Sequence, residues 1–158
     1  MAEPATRIIE AQMPPSERDL DTLVSLNDRL FGFGETRAHL EAFIRQHTQV
    51  LLLFAIRGEQ TVGFKLGYPL GPQTFESWRG GVLPEARRMG IARRLMERQH
   101  AWCAAAGFTR IETMTNAENS PMLELNLGAG FQIVKTFRNP RGVRKVKLEK
   151  HIETAVPR

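Results

Sequence analysis

A strand that stops at a proline and runs, through two arginines and a glycine, into a long amphipathic helix constrains this chain most. The residues are Val82-Leu83-Pro84-Glu85-Ala86-Arg87-Arg88-Met89-Gly90-Ile91-Ala92. Proline cannot donate to a sheet ladder, so a strand over Thr74 to Leu83 closes at Pro84. From about Gly90 to Ala106, residues Ile91, Leu95, Gln99, Trp102 and Ala106 recur at helical spacing, and Gly107 ends the run. The first turn of a helix has unpaired N–H groups and the positive end of the dipole, where phosphates bind. Gly90 lets a ligand come close to the backbone, Ala92 keeps the turn uncrowded, and Arg87, Arg88, Arg93 and Arg94 add charge-assisted contacts. The outline is a pyrophosphate cradle; the plainer reading is a helix start with solvated arginines. Neither Gly-x-x-x-x-Gly-Lys-Ser/Thr nor Gly-x-Gly-x-x-Gly occurs, so a nucleoside-triphosphate loop and a dinucleotide fingerprint do not fit.

The remaining pattern gives one continuous unit, since 158 residues suit a single domain over 1–158 with no repeat or linker. A helix is expected from about Ser16 to Leu30, buried through Leu20, Leu23, Val24, Asn27 and Leu30, and a second over 35–47 through Leu40, Phe43 and Ile44. Val50 to Ile56 and Gln60 to Gly67 read as a hairpin around Gly58, and Gly71-Pro72 separates them from the third strand. After the long helix come a strand at Thr109 to Thr115, a helix at Ser120 to Leu127 with Pro121 in its first turn, and a hairpin of Phe131 to Arg138 with Val143 to Glu149. The full order, opened by a strand ahead of the first helix, predicts a mixed α/β or α+β sheet, mostly antiparallel, and excludes an all-parallel one.

Charge narrows the ligand class. Lys and Arg number 22 against 17 Asp and Glu, a net of +5, which suits an anionic ligand. Two cationic stretches stand out: Arg87, Arg88, Arg93, Arg94 and Arg98 against Glu97, and seven cations from Lys135 to Lys150 against Glu149. The second alternates with apolar residues as in an edge hairpin and reads as a solvated face. No nucleic-acid motif accompanies either, so a specific nucleic-acid partner is not expected. The one cysteine, Cys103, lies among alanines and reads as a buried structural thiol. The opening residues resemble no signal peptide and Val50 to Ile56 is far too short for a membrane span, so a cytoplasmic location without membrane contact is expected. No metal site is read.

Val82-Leu83-Pro84-Glu85 followed by Arg87-Arg88-Met89-Gly90-Ile91-Ala92-Arg93-Arg94-Leu95-Met96, with Asn119, Leu123 and Gly130-Phe131 beyond, resembles the acetyl-CoA signature of the GNAT superfamily of N-acetyltransferases. The resemblance covers about residues 76 to 131. It implies a sheet whose two central parallel strands, Phe75 to Leu83 and Thr109 to Thr115, splay apart around the pantetheine of acetyl-CoA. It also implies that the backbone of Val82 and Leu83 pairs with that arm, that Arg87, Arg88, Met89, Gly90, Ile91, Ala92 and Arg93 wrap the pyrophosphate, and that Asn119 binds the arm or its surroundings. Asn119 is equally placed to cap the following helix. A homodimer is suggested by the family alone.

An amine acceptor, whether small molecule, amino acid or protein group, is protonated at neutral pH and must lose a proton before attacking a thioester. Glu76, on the strand leading to Val82, is the first candidate base; by alternation it shares a face with Trp78 and Val82 unless Gly80-Gly81 inserts a bulge. Glu112 and Glu35 are the other candidates. The N–H of Val82 or Leu83 would donate to the oxygen of the tetrahedral intermediate. In the family a tyrosine four residues before the terminal Gly-Phe often protonates the leaving thiolate; here that position is Asn126, and the only tyrosine is Tyr68. A thiol of ordinary pKa about 8.5 still leaves as thiolate, at a cost of roughly 2 kcal/mol. This departure leaves a non-catalytic acyl-CoA-binding sensor as the alternative. Leu30-Phe31-Gly32-Phe33-Gly34-Glu35 is the candidate acceptor segment, with Phe31 and Phe33 read as core, and Trp78 and Arg79 either line the site or pack.

Overall fold

The structure, a computed structural model, describes residues 4–32 and 35–156; Phe33 and Gly34 of the expected acceptor segment lie outside them. In chain order the elements are β1 (Thr6–Glu10), α1 (Glu17–Phe31), α2 (Arg37–Gln46), β2 (Leu51–Arg57), β3 (Gln60–Pro69), β4 (Thr74–Val82), a 3-10 turn (Pro84–Ala86), α3 (Ile91–Ala105), β5 (Arg110–Asn116), α4 (Ser120–Gly128), β6 (Gln132–Arg138) and β7 (Arg144–His151). The strands hydrogen-bond in the order β1-β2-β3-β4-β5-β7-β6. This is a mixed, mostly antiparallel sheet in which β4 and β5 form the parallel pair. By internal contacts the chain divides into two compact units, 1–68 with 79–99, and 69–78 with 100–158.

In the first unit the apolar run Leu51 to Ala55 is buried at every position, as a strand covered on both faces requires. Helix α1 begins where Ser16 accepts the Asp19 N–H at 3.1 Å, with Glu17 and Asp19 in its first turn, so both the orphan donors and the dipole are met. Its inward stripe is Leu20, Leu23, Leu26 and Asn27; Leu26 takes the place expected of Val24 and Leu30, which are half-buried. Helix α2 is capped by Thr36 in the same way and buries Leu40 and Ile44. Phe43 is half-buried instead and stacks edge-on to Tyr68, ring centroids 5.0 Å apart. Phe31 is 49% exposed, contrary to its reading as core: α1 ends there at Gly32, and the ring lies on the surface edge-on to Phe64.

The second unit is built on β7, which pairs antiparallel with both β5 and β6. Phe75, Trp102 and Phe108 form its aromatic centre, with centroids 5.5 and 5.3 Å from Phe75. Ile111, Leu148 and Cys103 are fully buried beside them. Burial pushes the Cys103 thiol up to about 12, as expected of a structural cysteine. Among the described residues no helix is long and apolar enough to cross a membrane.

Phe64, with no exposed surface in the middle of β3, faces Phe54 across the ladder. Phe64→Ala is expected to lower stability by about 3–5 kcal/mol, read from the shift of the urea unfolding midpoint.

Candidate active site

Strand β4 carries most of the candidate residues, and its hydrogen bonding is unusual. Its ladder with β5 runs only from Thr74 opposite Arg110 to Ser77 opposite Thr113, although β4 continues to Val82 and β5 to Asn116. Where the ladder stops, the Thr113 hydroxyl donates to the Ser77 carbonyl at 3.0 Å. Phe75 packs on Trp102 of α3; further on, Arg79 bonds Asn27 of α1 and Gly81 abuts Leu30 of α1, while Val82 and Leu95 of α3 lie together against Gly63.

Glu76 lies on the face away from Phe75, only 5% exposed. Opposite it is Glu112, 7% exposed, whose carboxylate sits 3.6 Å from the ammonium of Lys147 and 3.6 Å from Nε of Arg110. Glu76 thus has a carboxylate for its neighbour while the nearby cations are directed at Glu112. Burial, reinforced by the charge of Glu112 and partly offset by Lys147, pushes its carboxyl up to about 7. Sequence reading placed Lys147 only within a basic hairpin; the β5·β7 register, which sets it opposite Met114 and diagonal to Glu112, is what brings it here. The third candidate carboxylate, Glu35, is already engaged: Oε1 accepts from Arg79 at 3.3 Å and Oε2 pairs with His39. That guanidinium also bonds the buried Asn27 at 2.9 Å and lies over the Phe31 ring.

Val82 and Leu83 differ in what their backbones offer. The Leu83 N–H donates to the Val62 carbonyl at 2.8 Å. Successive residues of a strand point their N–H groups to opposite edges, so that of Val82 is turned away from β3. The Val82 carbonyl accepts Nε–H of Arg87 at 3.0 Å, which ties the basic loop to the end of β4.

Beyond the 3-10 turn, Arg87, Arg88, Met89, Gly90 and Arg93 are exposed. Arg88 and Gly90 both adopt the left-handed backbone, at φ 64 and φ 75, and a Cβ added at Gly90 would meet nothing within 4 Å. The first intrahelical bond runs from the Arg94 N–H to the Gly90 carbonyl at 3.1 Å, which leaves the amides of Ile91, Ala92 and Arg93 without a partner inside the helix. Glu85, the acid nearest in sequence, is neutralised by Arg29 at 2.8 Å, and Arg94 turns back to the Thr6 carbonyl at 3.0 Å. An open backbone nest, free first-turn amides and uncompensated arginines fit a diphosphate.

In the second unit Asn119 caps α4, accepting the Met122 N–H at 3.3 Å. Asn126 is 3% exposed, with its side-chain amide nitrogen 3.5 Å from the Thr115 hydroxyl and its backbone carbonyl accepting the Phe131 N–H at 3.0 Å. It holds the end of α4 and has no proton to release at neutral pH. Lys65 on β3, adjoining Gly80, escaped sequence reading because an isolated strand lysine has no local signature; burial alone pulls its ammonium down to about 8.

The sequence matches the model of the acetyltransferase (GNAT) family over residues 20–131. No curated protein matches it significantly. Among solved structures, it resembles Ard1 from Thermoplasma volcanium at 16% identity and a TM-score of 0.82, covering 94% of this chain and 98% of that one. The ribosomal-protein-S18-alanine N-acetyltransferase from Escherichia coli gives 16% identity and 0.81, over 96% and 97%. The PaiA N-acetyltransferase from Thermoplasma acidophilum, solved in complex with coenzyme A, gives 16% and 0.74, over 94% and 99%. At such identities these likenesses establish the fold.

Because the folded carboxyl of Glu76 titrates at about 7 against an ordinary 4.5, the native state keeps a proton that the unfolded chain has released. Stability must then fall as pH rises between those values and level off above them. Glu76→Gln is expected to remove that slope, matching the parent near pH 4 and exceeding it in stability near pH 8, as measured by urea unfolding across pH.

Proposed function

The chain belongs to the acetyltransferase (GNAT) family and is an acetyl-CoA-dependent acyltransferase; from that premise we propose that it acetylates a primary amine, with Glu76 as the general base. The observation that carries this reading is a buried carboxylate poised near 7 beside a second carboxylate. An ammonium with an ordinary pKa of about 10.4 loses its proton more readily to such a group than to an exposed glutamate, because the two affinities are better matched. At neutral pH a substantial fraction of Glu76 is still ionised and able to accept. Glu112, held by Lys147 and Arg110, acts through Glu76 by keeping its proton affinity high.

The remaining assignments are distributed along the chain. The amide of Val82, turned away from β3, would donate to the oxygen that gains charge as the thioester carbonyl is attacked. Backbone groups of Val82 and Leu83 and the side chain of Asn119 would hold the pantetheine arm, with the second bond of Leu83 restricted to its carbonyl because its N–H is taken by Val62. Arg87, Arg88 and Arg93, with the amides of Met89, Gly90, Ile91 and Ala92, would take the diphosphate. Bound acetyl-CoA supplies the activated acetyl group. Asn126 offers no proton, so the thiolate would leave unprotonated or take its proton from water. The family match from 20 to 131 draws on both compact units, which supports one acetyltransferase domain.

Two experiments test this. The parent enzyme is expected to lose kcat/KM for an amine as pH falls below about 7. Glu76→Gln should lower kcat by roughly 10²–10⁴ and abolish that acid limb, with the KM for acetyl-CoA nearly unchanged. An unaltered limb would remove Glu76 from the role. Arg88→Gly keeps a residue at ease with φ 64 while deleting the cation, and is expected to raise the KM for acetyl-CoA about tenfold with little change in kcat.

A further inference from the structure

The outer strand of the second unit is used by nothing described so far. β6 closes the sheet order, so one row of its backbone groups has no strand beside it. Every residue from Gln132 to Thr136 is exposed; Ile133 and Val134 are each 49% exposed, and Val143 across the turn is 39% exposed. Solvated β-branched side chains on an open edge are a pairing liability that proteins usually bury or blunt. Here the register with β7 shifts between Ile133 and Lys135, a bulge that leaves Val134 without a partner in the ladder and divides the pairing into Gln132–Ile133 and Lys135–Arg138.

The charge of this edge is one-sided. Lys135, Arg138, Arg141, Arg144 and Lys145 fall within an eleven-residue stretch that contains no acidic residue. Among the described residues none of the five has a carboxylate within ion-pair distance. Their hydrogen bonding is local: Arg138 donates to the Gly142 carbonyl at 2.9 Å and steadies the turn, and Lys135 lies over the Phe137 ring at 5.4 Å. The turn itself is fixed by Asn139, whose carboxamide oxygen accepts the N–H groups of Arg141 and Val143 at 3.0 and 2.9 Å. The cations are therefore carried on an ordered hairpin.

We propose that this hairpin is a docking surface for an extended acidic segment of a partner protein, added as a strand along β6. Main-chain pairing would use the open edge, acidic side chains would meet the cations, and apolar ones would cover Ile133, Val134 and Val143. A second copy of the chain is a poor occupant, because β6 against β6 would set the same cations against one another. A nucleic acid would leave the three aliphatic side chains facing phosphate, and the one aromatic ring, Phe137, is half-buried with Lys135 across it and offers no stacking platform.

The test uses the full-length protein and fluorescence anisotropy with a labelled peptide of alternating Glu and Val long enough to run the length of β6. This peptide is expected to bind, and to weaken as salt rises. A Lys/Val peptide should not bind, and a Glu peptide of equal charge interrupted by prolines should bind at least about tenfold more weakly. Lys135→Glu with Arg138→Glu should cost about tenfold or more for the Glu/Val peptide, with only a small drop in melting temperature, because both side chains are exposed and the one hydrogen bond lost is that of Arg138 to the Gly142 carbonyl. Equal binding of the proline-interrupted peptide would overturn strand addition. Tighter binding of a single-stranded oligonucleotide, a concentration-dependent dimer that the double substitution dissolves, or no binding of the Glu/Val peptide would each overturn the proposal.

Discussion

A polypeptide strand inside a sheet must account for each of its N–H and C=O groups, and in this molecule β4 does so in two ways along its length. From Thr74 to Ser77 it pairs with β5, and where that ladder ends a threonine hydroxyl takes the last carbonyl. From there to Val82 its backbone on that side has no β5 partner, and the Val82 carbonyl is satisfied by a guanidinium reaching back from the loop beyond the strand. Within the second unit Phe75 anchors the aromatic centre, and within the first Arg79 and Gly81 face α1. Strand, loop and helix start are thus mechanically joined, and the left-handed turn at Arg88 and Gly90 takes its place from the end of β4.

The second constraint is electrostatic. Two carboxylates buried side by side on adjacent strands cannot both ionise cheaply, and the nearby cations are directed at only one of them. The asymmetry is set by the pairing of β7 with β5, since Lys147 comes within 3.6 Å of Glu112, and Glu76 is left to respond by holding its proton. Above neutral pH a neutral residue at that position would be the more stable choice.

Much of this was legible in the residues. Caps, glycine stops and apolar spacing locate the helices to within a residue or two, because Ser16, Thr36, Asn119 and Gly107 act over a single turn. The cationic loop was readable for the same reason: a nest, a helix start and its arginines are all local in sequence. What escaped was non-local. Whether a stripe residue points inward depends on the neighbouring element, so Leu26 displaced Val24 and Leu30, and Phe31 emerged at the surface. β1, a five-residue strand paired with β2, is expected as the opening element but without bounds, because it is too short to carry a clear alternation. The burial of Glu76 and the role of Lys147 are consequences of the β4·β5 and β5·β7 registers, each joining segments about 35 residues apart, which periodicity does not encode.

Cys103 has a consequence outside catalysis. It is the chain's one thiol, carried on the buried side of α3 and protonated at any ordinary pH. A thiol in that state is inert toward alkylating and oxidising reagents until the packing above it opens. The rate at which a modifying reagent consumes it is therefore a clock for the opening of α3 from Phe75 and Phe108, set in the fold itself and readable in the unaltered protein.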